Sequence, residues 1–272
     1  MIEEATTEIA IRPGKGQVHK RCICKHNIDI TTGGCPIALD EGGNYKKENE
    51  CDYCYAKYVH RNFVKNKQVN DKIWYKNKDR LETPIIRIGK MSEPGGRESR
   101  SVLVKVLELN NEIGTKTILV TRLLDWDEEV SRLLSVKNSV VHFSMGIESL
   151  EIGAIARGAT NEFRIKQACR YKAAGNKVYL RIVHDVTGPI PDFIKEWEVH
   201  QIPFLVTPIR FFKKDLVSTF IPGETWESLK DKGRYTYSGG ALSPVSMHPE
   251  WEKYNERCGH VGEKFYCNNC GL

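Results

Sequence analysis

The chain has no long apolar run. Its longest, such as "TILV" and "SVVHF", are far too short to span a bilayer. The first twenty residues, "MIEEATTEIAIRPGKGQVHK", lack the apolar stretch of a secretory signal. There is no internal repeat and no low-complexity segment. These absences argue against a membrane-spanning, fibrous or disordered chain and lead to the expectation of a cytoplasmic globular protein. With 272 residues, 40% hydrophobic and 28% charged, the chain suits one α/β barrel-type domain with a small appendage. The net charge of +6 fits a nucleic-acid or nucleotide partner, and equally a lysine-rich surface. Basic residues cluster in "YVHRNFVKNKQ" and "YKNKDR".

What the chain does have is cysteine. There are nine, an odd number, and eight fall into clusters. Disulfides are rare in a reducing compartment, so metal binding is the default reading. The first set is Cys22, Cys24, Cys35, Cys51 and Cys54, and the last is Cys258, Cys267 and Cys270. Cys169 stands alone in a helical stretch, as a small hydrophobe would.

From residue 84 to 209 strands and helices alternate. "PIIRIGKM", "KTILVT", "SVVHFSMG", "NKVYLRIVH" and "IPFLVTPI" read as strands. "SRSVLVKVLELNNEIG", "DEEVSRLLSV", "TNEFRIKQACRYKAAG" and "PDFIKEWEVH" read as the helices between them. Thr160 or Asn161 is the expected N-cap of the third helix, and Gly175 lies at its C-terminal end. A first strand at "NIDIT" brings the count to six, and "AKYVHRNFVKN" reads as a helix. The rhythm predicts a parallel sheet or partial (β/α)6 barrel. The expected divisions are an N-terminal segment 1–27, a barrel 28–215 and a Cys-rich extension 216–272. That extension is turn-rich and is expected to need a metal staple.

In parallel α/β folds, sites form at the carboxyl ends of strands. The three-cysteine loop follows the first strand. "SEPGG", Ser92 to Gly96, follows the next strand. Thr121 and Arg122 end the third, Ser144 the fourth, and Arg181 and His184 lie on or at the end of the fifth. A [4Fe–4S] cluster normally takes four thiolates, so three leave one iron open to a further ligand.

"CDYCY" resembles the second half of the cysteine motif of the radical S-adenosylmethionine (SAM) superfamily, with Tyr53 as the aromatic before the last cysteine. "SEP" resembles that family's Gly-Glu-Pro motif. The likeness covers roughly residues 28–212 and is nearest the spore photoproduct lyase-like branch. It implies a six-stranded partial TIM-like barrel and a [4Fe–4S] cluster on Cys35, Cys51 and Cys54. It also implies S-adenosyl-L-methionine as cofactor, cleaved reductively to a 5′-deoxyadenosyl radical that abstracts a substrate hydrogen. An electron donor such as flavodoxin or ferredoxin follows. So do binding roles for Ser92 and Glu93 at the amino group, Ser144 at the ribose or carboxylate, Arg181 at the carboxylate, Thr121 nearby, and Tyr53 and Tyr55 beside the adenine.

One departure is large. The family spacing is C-x3-C-x2-C, but here it is C-x15-C-x2-C. A fivefold longer loop costs only ~1.4 kcal/mol in closure entropy, which metal binding absorbs. Cys22 or Cys24 is the alternative first ligand.

The tail spacing C-x8-C-x2-C in Cys258, Cys267 and Cys270 resembles a zinc-ribbon knuckle. With Cys22, Cys24 or His260 as a further ligand, it predicts zinc or an auxiliary iron–sulfur cluster joining the two ends of the chain. The competing function is a non-catalytic zinc-binding nucleic-acid module. For an enzyme, a nucleic acid, a peptide and a small metabolite all stay open as substrates.

Overall fold

The computed structural model describes residues 10–13, 24, 26–31, 37, 46, 48, 51, 85–89, 93–238, 240–262, 264–267 and 269–272. The candidate residues Cys22, Cys35, Tyr53, Cys54, Tyr55 and Ser92, and the expected helix over 56–66, lie outside that set.

The strands are β1 (Ala10–Pro13), β2 (His26–Thr31), β3 (Ile85–Ile88), β4 (Lys116–Thr121), β5 (Val140–Met145), β6 (Lys177–His184) and β7 (Phe204–Pro208), followed by β8 (Tyr235–Ser238), β9 (Ala241–Pro244), β10 (Glu256–Val261) and β11 (Lys264–Cys267). The helices are α1 (Arg100–Glu112), α2 (Glu128–Val136), α3 (Ile152–Ala156), α4 (Asn161–Ala173), α5 (Asp192–Glu196), α6 (Leu216–Phe220) and α7 (Trp226–Asp231). Among the described residues one sheet runs β1-β2-β3-β4-β5-β6-β7-β10-β11, and β8 and β9 form a separate hairpin. β2 to β7 are parallel in chain order and make the curled half-barrel expected from the sequence.

Local chemistry explains these elements. Every residue of β5 is buried, as a strand covered on both faces requires. Asp127 caps α2 by accepting from the Val130 amide at 3.0 Å, and Glu128 and Glu129 suit the positive end of the helix. Thr160 caps α4 by accepting from the Phe163 amide at 3.1 Å. Gly175, at φ +84°, takes the left-handed turn that ends that segment.

The main core lies between the sheet and its helices. Leu119, Val141, Phe143, Leu180, Ile182 and Val206 meet Leu103, Leu107, Leu134 and Ile165 there. Strand alternation then sends Ile118, Val120, Val140, His142, Arg181 and Leu205 to the concave face.

The extension differs from its sequence reading. It carries an apolar cluster, in which Val217, Phe220, Leu229, Tyr235 and Leu242 pack with Leu150, Ile209 and Phe211 of the preceding segment. Its second half is part of the main sheet. β10 pairs in parallel with β7 through Glu256↔Leu205 and Arg257↔Val206, and β11 turns back along β10.

Candidate functional site

Chemistry-bearing residues gather in two groups, one beyond the carboxyl ends of the strands and one on the concave face of the sheet. At the carboxyl ends of the strands, the turn after β3 is built around Glu93. Its buried carboxylate accepts from the Gly95 amide at 2.9 Å, the Arg122 amide at 2.7 Å and the Thr121 hydroxyl. The turn needs glycine twice. A Cβ on Gly95 would stand 2.2 Å from Thr121 Oγ1 and 2.5 Å from the Leu124 amide nitrogen. Gly89 has φ +87°, and a Cβ there would meet the Val120 carbonyl at 2.2 Å. The structure thus brings Glu93 and Thr121 together, and both side chains are committed to the backbone between them.

Next to this turn lies Cys51. It is buried with Ile37, Leu123, Ala154 and Ala159, and with Phe163 at the margin. Leu123 follows β4, while Ala154 and Ala159 belong to the segment after β5, so Cys51 lies beyond the carboxyl ends of these strands. A buried ion-pair network ties the same segments together. Glu151 pairs with Arg122 Nε at 2.9 Å and with Arg164 Nη2 at 2.6 Å. Arg164 also donates to the Ser144 carbonyl at 3.0 Å. Ser144 is buried at the end of β5. Sequence reasoning missed Glu151 and Arg164. Their only signal was a charged pair near the short helix α3 and the start of α4.

The concave face holds the second group. Cys24, Cys258 and Cys270 share one buried cluster with Ile118, Val120, Val140 and Leu205. Cys24 stands just before β2, the first parallel strand, and Cys258 lies in β10, the last. Seven strands about 4.8 Å apart would put these far from each other in a flat sheet. One buried cluster nonetheless links them through Ile118, Val120, Val140 and Leu205 on the curled sheet. Cys267 is the register partner of Cys258 in the terminal hairpin. The side chains of Cys267 and His260 lie outside the described set.

Arg181 is in mid-strand rather than at the strand end. It is buried, and its guanidinium donates to Cys258 Sγ at 3.6 Å. A hydrogen bond from Cys270 holds the Cys258 thiol well below the usual thiol range. The charges of Arg181 and Arg87 act the same way, against the opposing effect of burial. His142, also missed from the sequence, is fully buried here. Burial pushes its imidazole down to about 3, with Arg181 adding to the effect. The ring is therefore neutral, and Nε2 donates to the Cys270 carbonyl at 2.9 Å. His184, at the end of β6, is enclosed by Phe193, Phe220 and Trp251. Asp185 accepts from the Tyr235 hydroxyl at 2.6 Å and Arg234 at 3.0 Å, so it braces the extension against β6.

No protein-family model matches the chain, and no curated protein matches it. Solved structures do. A spore photoproduct lyase double mutant with bound AdoMet and dinucleoside spore photoproduct is similar with a TM-score of 0.50. It is 17% identical, over 75% of this chain and 66% of that one. A spore photoproduct lyase complexed with dinucleoside spore photoproduct is 17% identical over 92% of this chain and 74% of that one, at TM-score 0.48. Streptococcus suis SuiB is 17% identical over 58% of this chain, at TM-score 0.40, and this chain spans 36% of SuiB. At such identities the likeness to the lyase double mutant defines the fold, the curled parallel half-barrel. Among the described residues no helix is long and apolar enough to cross a membrane.

Proposed function

We propose that this chain is a radical SAM enzyme whose [4Fe–4S] cluster is held by Cys35, Cys51 and Cys54. The observation that carries the reading is the burial of Cys51 with Ile37, Leu123 and Ala154 beyond the carboxyl ends of β4 and β5. That is where parallel α/β folds place their chemistry. Ile37 is two residues from Cys35, a reach of about 7 Å at most in extended chain. The lengthened motif is therefore compatible with one three-thiolate site. A buried thiol beside a glycine-dependent turn also fits the donor chemistry that such a cluster needs.

When bound, the cluster and S-adenosylmethionine supply one-electron cleavage of the sulfonium bond and a 5′-deoxyadenosyl radical. The electron comes from a donor of the flavodoxin or ferredoxin kind. This chain's part is to bind, orient and exclude water. Because the Glu93 carboxylate is held by three donors, the turn offers its backbone, with Ser92, to the amino group of the cofactor. Thr121 fixes that turn, and Ser144 is the polar group nearest on β5 for the ribose or carboxylate. Tyr53 and Tyr55 are assigned to the adenine. The apolar wall of Leu123, Ala154 and Ala159 keeps water from Cys51.

The net charge of +6 favours a nucleic acid or nucleotide substrate in the cytoplasm over a peptide or small metabolite. Anaerobic purification followed by iron and sulfide analysis tests the cluster. A brown protein absorbing near ~400 nm is expected, with the colour lost in Cys54→Ala. A colourless protein carrying zinc alone would overturn the reading in favour of the non-catalytic zinc module.

A further inference from the structure

We propose that Cys24, Cys258, Cys267 and Cys270 form a mononuclear zinc site on the concave face of the half-barrel, with Arg181 as its counter-ion. The site is distinct from Cys35, Cys51 and Cys54, so either reading can fail without the other.

Three observations converge. The first is placement. Cys24, Cys258 and Cys270 are at most 6% exposed and share one cluster, though they come from opposite edges of the parallel sheet. Residues directly opposed in an antiparallel pair have Cβ atoms about 4.5–5.5 Å apart, and the register sets Cys267 opposite Cys258. Among the described residues alone, no three ligands stand at metal-binding spacing. We assign Cys267, whose backbone the register sets beside Cys258, as the further ligand.

The second is the knuckle. Cys270 holds φ 52°, a left-handed conformation unfavourable for a residue with a side chain and retained only where the surroundings demand it. Its carbonyl is fixed by His142 Nε2 at 2.9 Å. Gly271 is pressed so closely on Tyr179 that a Cβ would stand 2.1 Å from the ring. The C-x2-C turn is therefore seated in the barrel with its backbone tied.

The third is charge. Arg181 is buried, and its one polar partner among the described residues is Cys258 Sγ. A buried guanidinium needs a negative partner, and a thiolate ligand supplies one. Four thiolates around a divalent ion leave a net charge of about −2, which Arg181 offsets. The Cys258 and Cys270 thiols are hydrogen-bonding neighbours. Tetrahedral zinc with Zn–S bonds of about 2.3 Å puts its sulfurs about 3.8 Å apart, whereas a cubane cluster spreads its thiolates more widely. The contact therefore favours one zinc ion.

Elemental analysis of the full chain purified anaerobically should give about one zinc per chain, undiminished in Cys51→Ser. The double variant Cys258→Ser, Cys270→Ser should lose it. Because that variant can misfold, X-ray absorption at the zinc edge of the wild-type protein supplies the second reading. A shell of four sulfurs at about 2.3 Å supports the site, and a shell with oxygen ligands in the majority overturns it. Arg181→Met should release zinc to a chelator at least tenfold faster, with Arg181→Lys restoring most of the retention. Wild-type protein without zinc after zinc-replete growth overturns the proposal. So does iron and sulfide, rather than zinc, lost on changing Cys270, or zinc retained in the double variant.

Discussion

At the scale of single residues, the turn "EPGG" is governed by space. Gly95 lies against Thr121 Oγ1 and the Leu124 backbone, with no room for a methyl group. Gly95→Ala should cost about 1–3 kcal/mol, read as a lower denaturation midpoint, because the clash is largely with backbone. It should also weaken cofactor binding, since it displaces the turn. His184 makes a separate prediction. Burial lowers its proton affinity below that of a free imidazole, whose ordinary value is 6.5. Below that pH the unfolded chain binds the proton more readily than the folded one, so stability falls as pH drops. His142 acts in the same direction. His184→Phe should therefore reduce the slope of stability against pH without abolishing it, as followed by urea unfolding at several pH values. An unchanged slope would show that His184 is not enclosed as described.

At the scale of elements, the walls of the Cys51 pocket are joined by Glu151 between Arg122 and Arg164. Removing one member strands a buried charge, at a cost of about 3–5 kcal/mol. Glu151→Gln should destabilise the fold by roughly that amount in denaturant titration. It should also expose Cys51 to faster alkylation under conditions where the chain stays folded. Slow alkylation with intact stability would contradict the role. This is also the scale at which the sequence was most readable. The segment "KTILVT" is the strand Lys116–Thr121, and the cap at Thr160 and the turn at Gly175 stand where their chemistry places them. The pattern is readable there because strands such as "KTILVT" are apolar runs that alternate with amphipathic helices. It fails for β8 to β11. Strands such as "YTYS" and "ERCGHV" carry few aliphatic residues, and the partner of β10 is β7, some fifty residues earlier in the chain. The apolar residues of the extension were likewise too scattered in sequence to announce a cluster.

At the scale of the whole molecule, curl decides which residues meet. The sequence placed Glu93, Thr121 and Ser144 at strand ends from the alternation of elements alone. It could not place Arg181, because "KVYLRIVH" has apolar residues on both faces of the strand. Nor could it show that Cys24 and Cys258 share one buried cluster, since that depends on how the sheet curls. Among the described residues, the outcome is a half-barrel with the buried thiol of Cys51 beyond its carboxyl ends and three more buried cysteines in a cluster on its concave face. The most direct test of the proposed activity is the anaerobic reaction of dithionite-reduced protein with S-adenosylmethionine. Methionine and 5′-deoxyadenosine should form in equal amounts with the wild-type chain and fall to background in Cys51→Ala. Cleavage that persists in Cys51→Ala, or none from wild-type protein carrying its full iron and sulfide, would contradict the account.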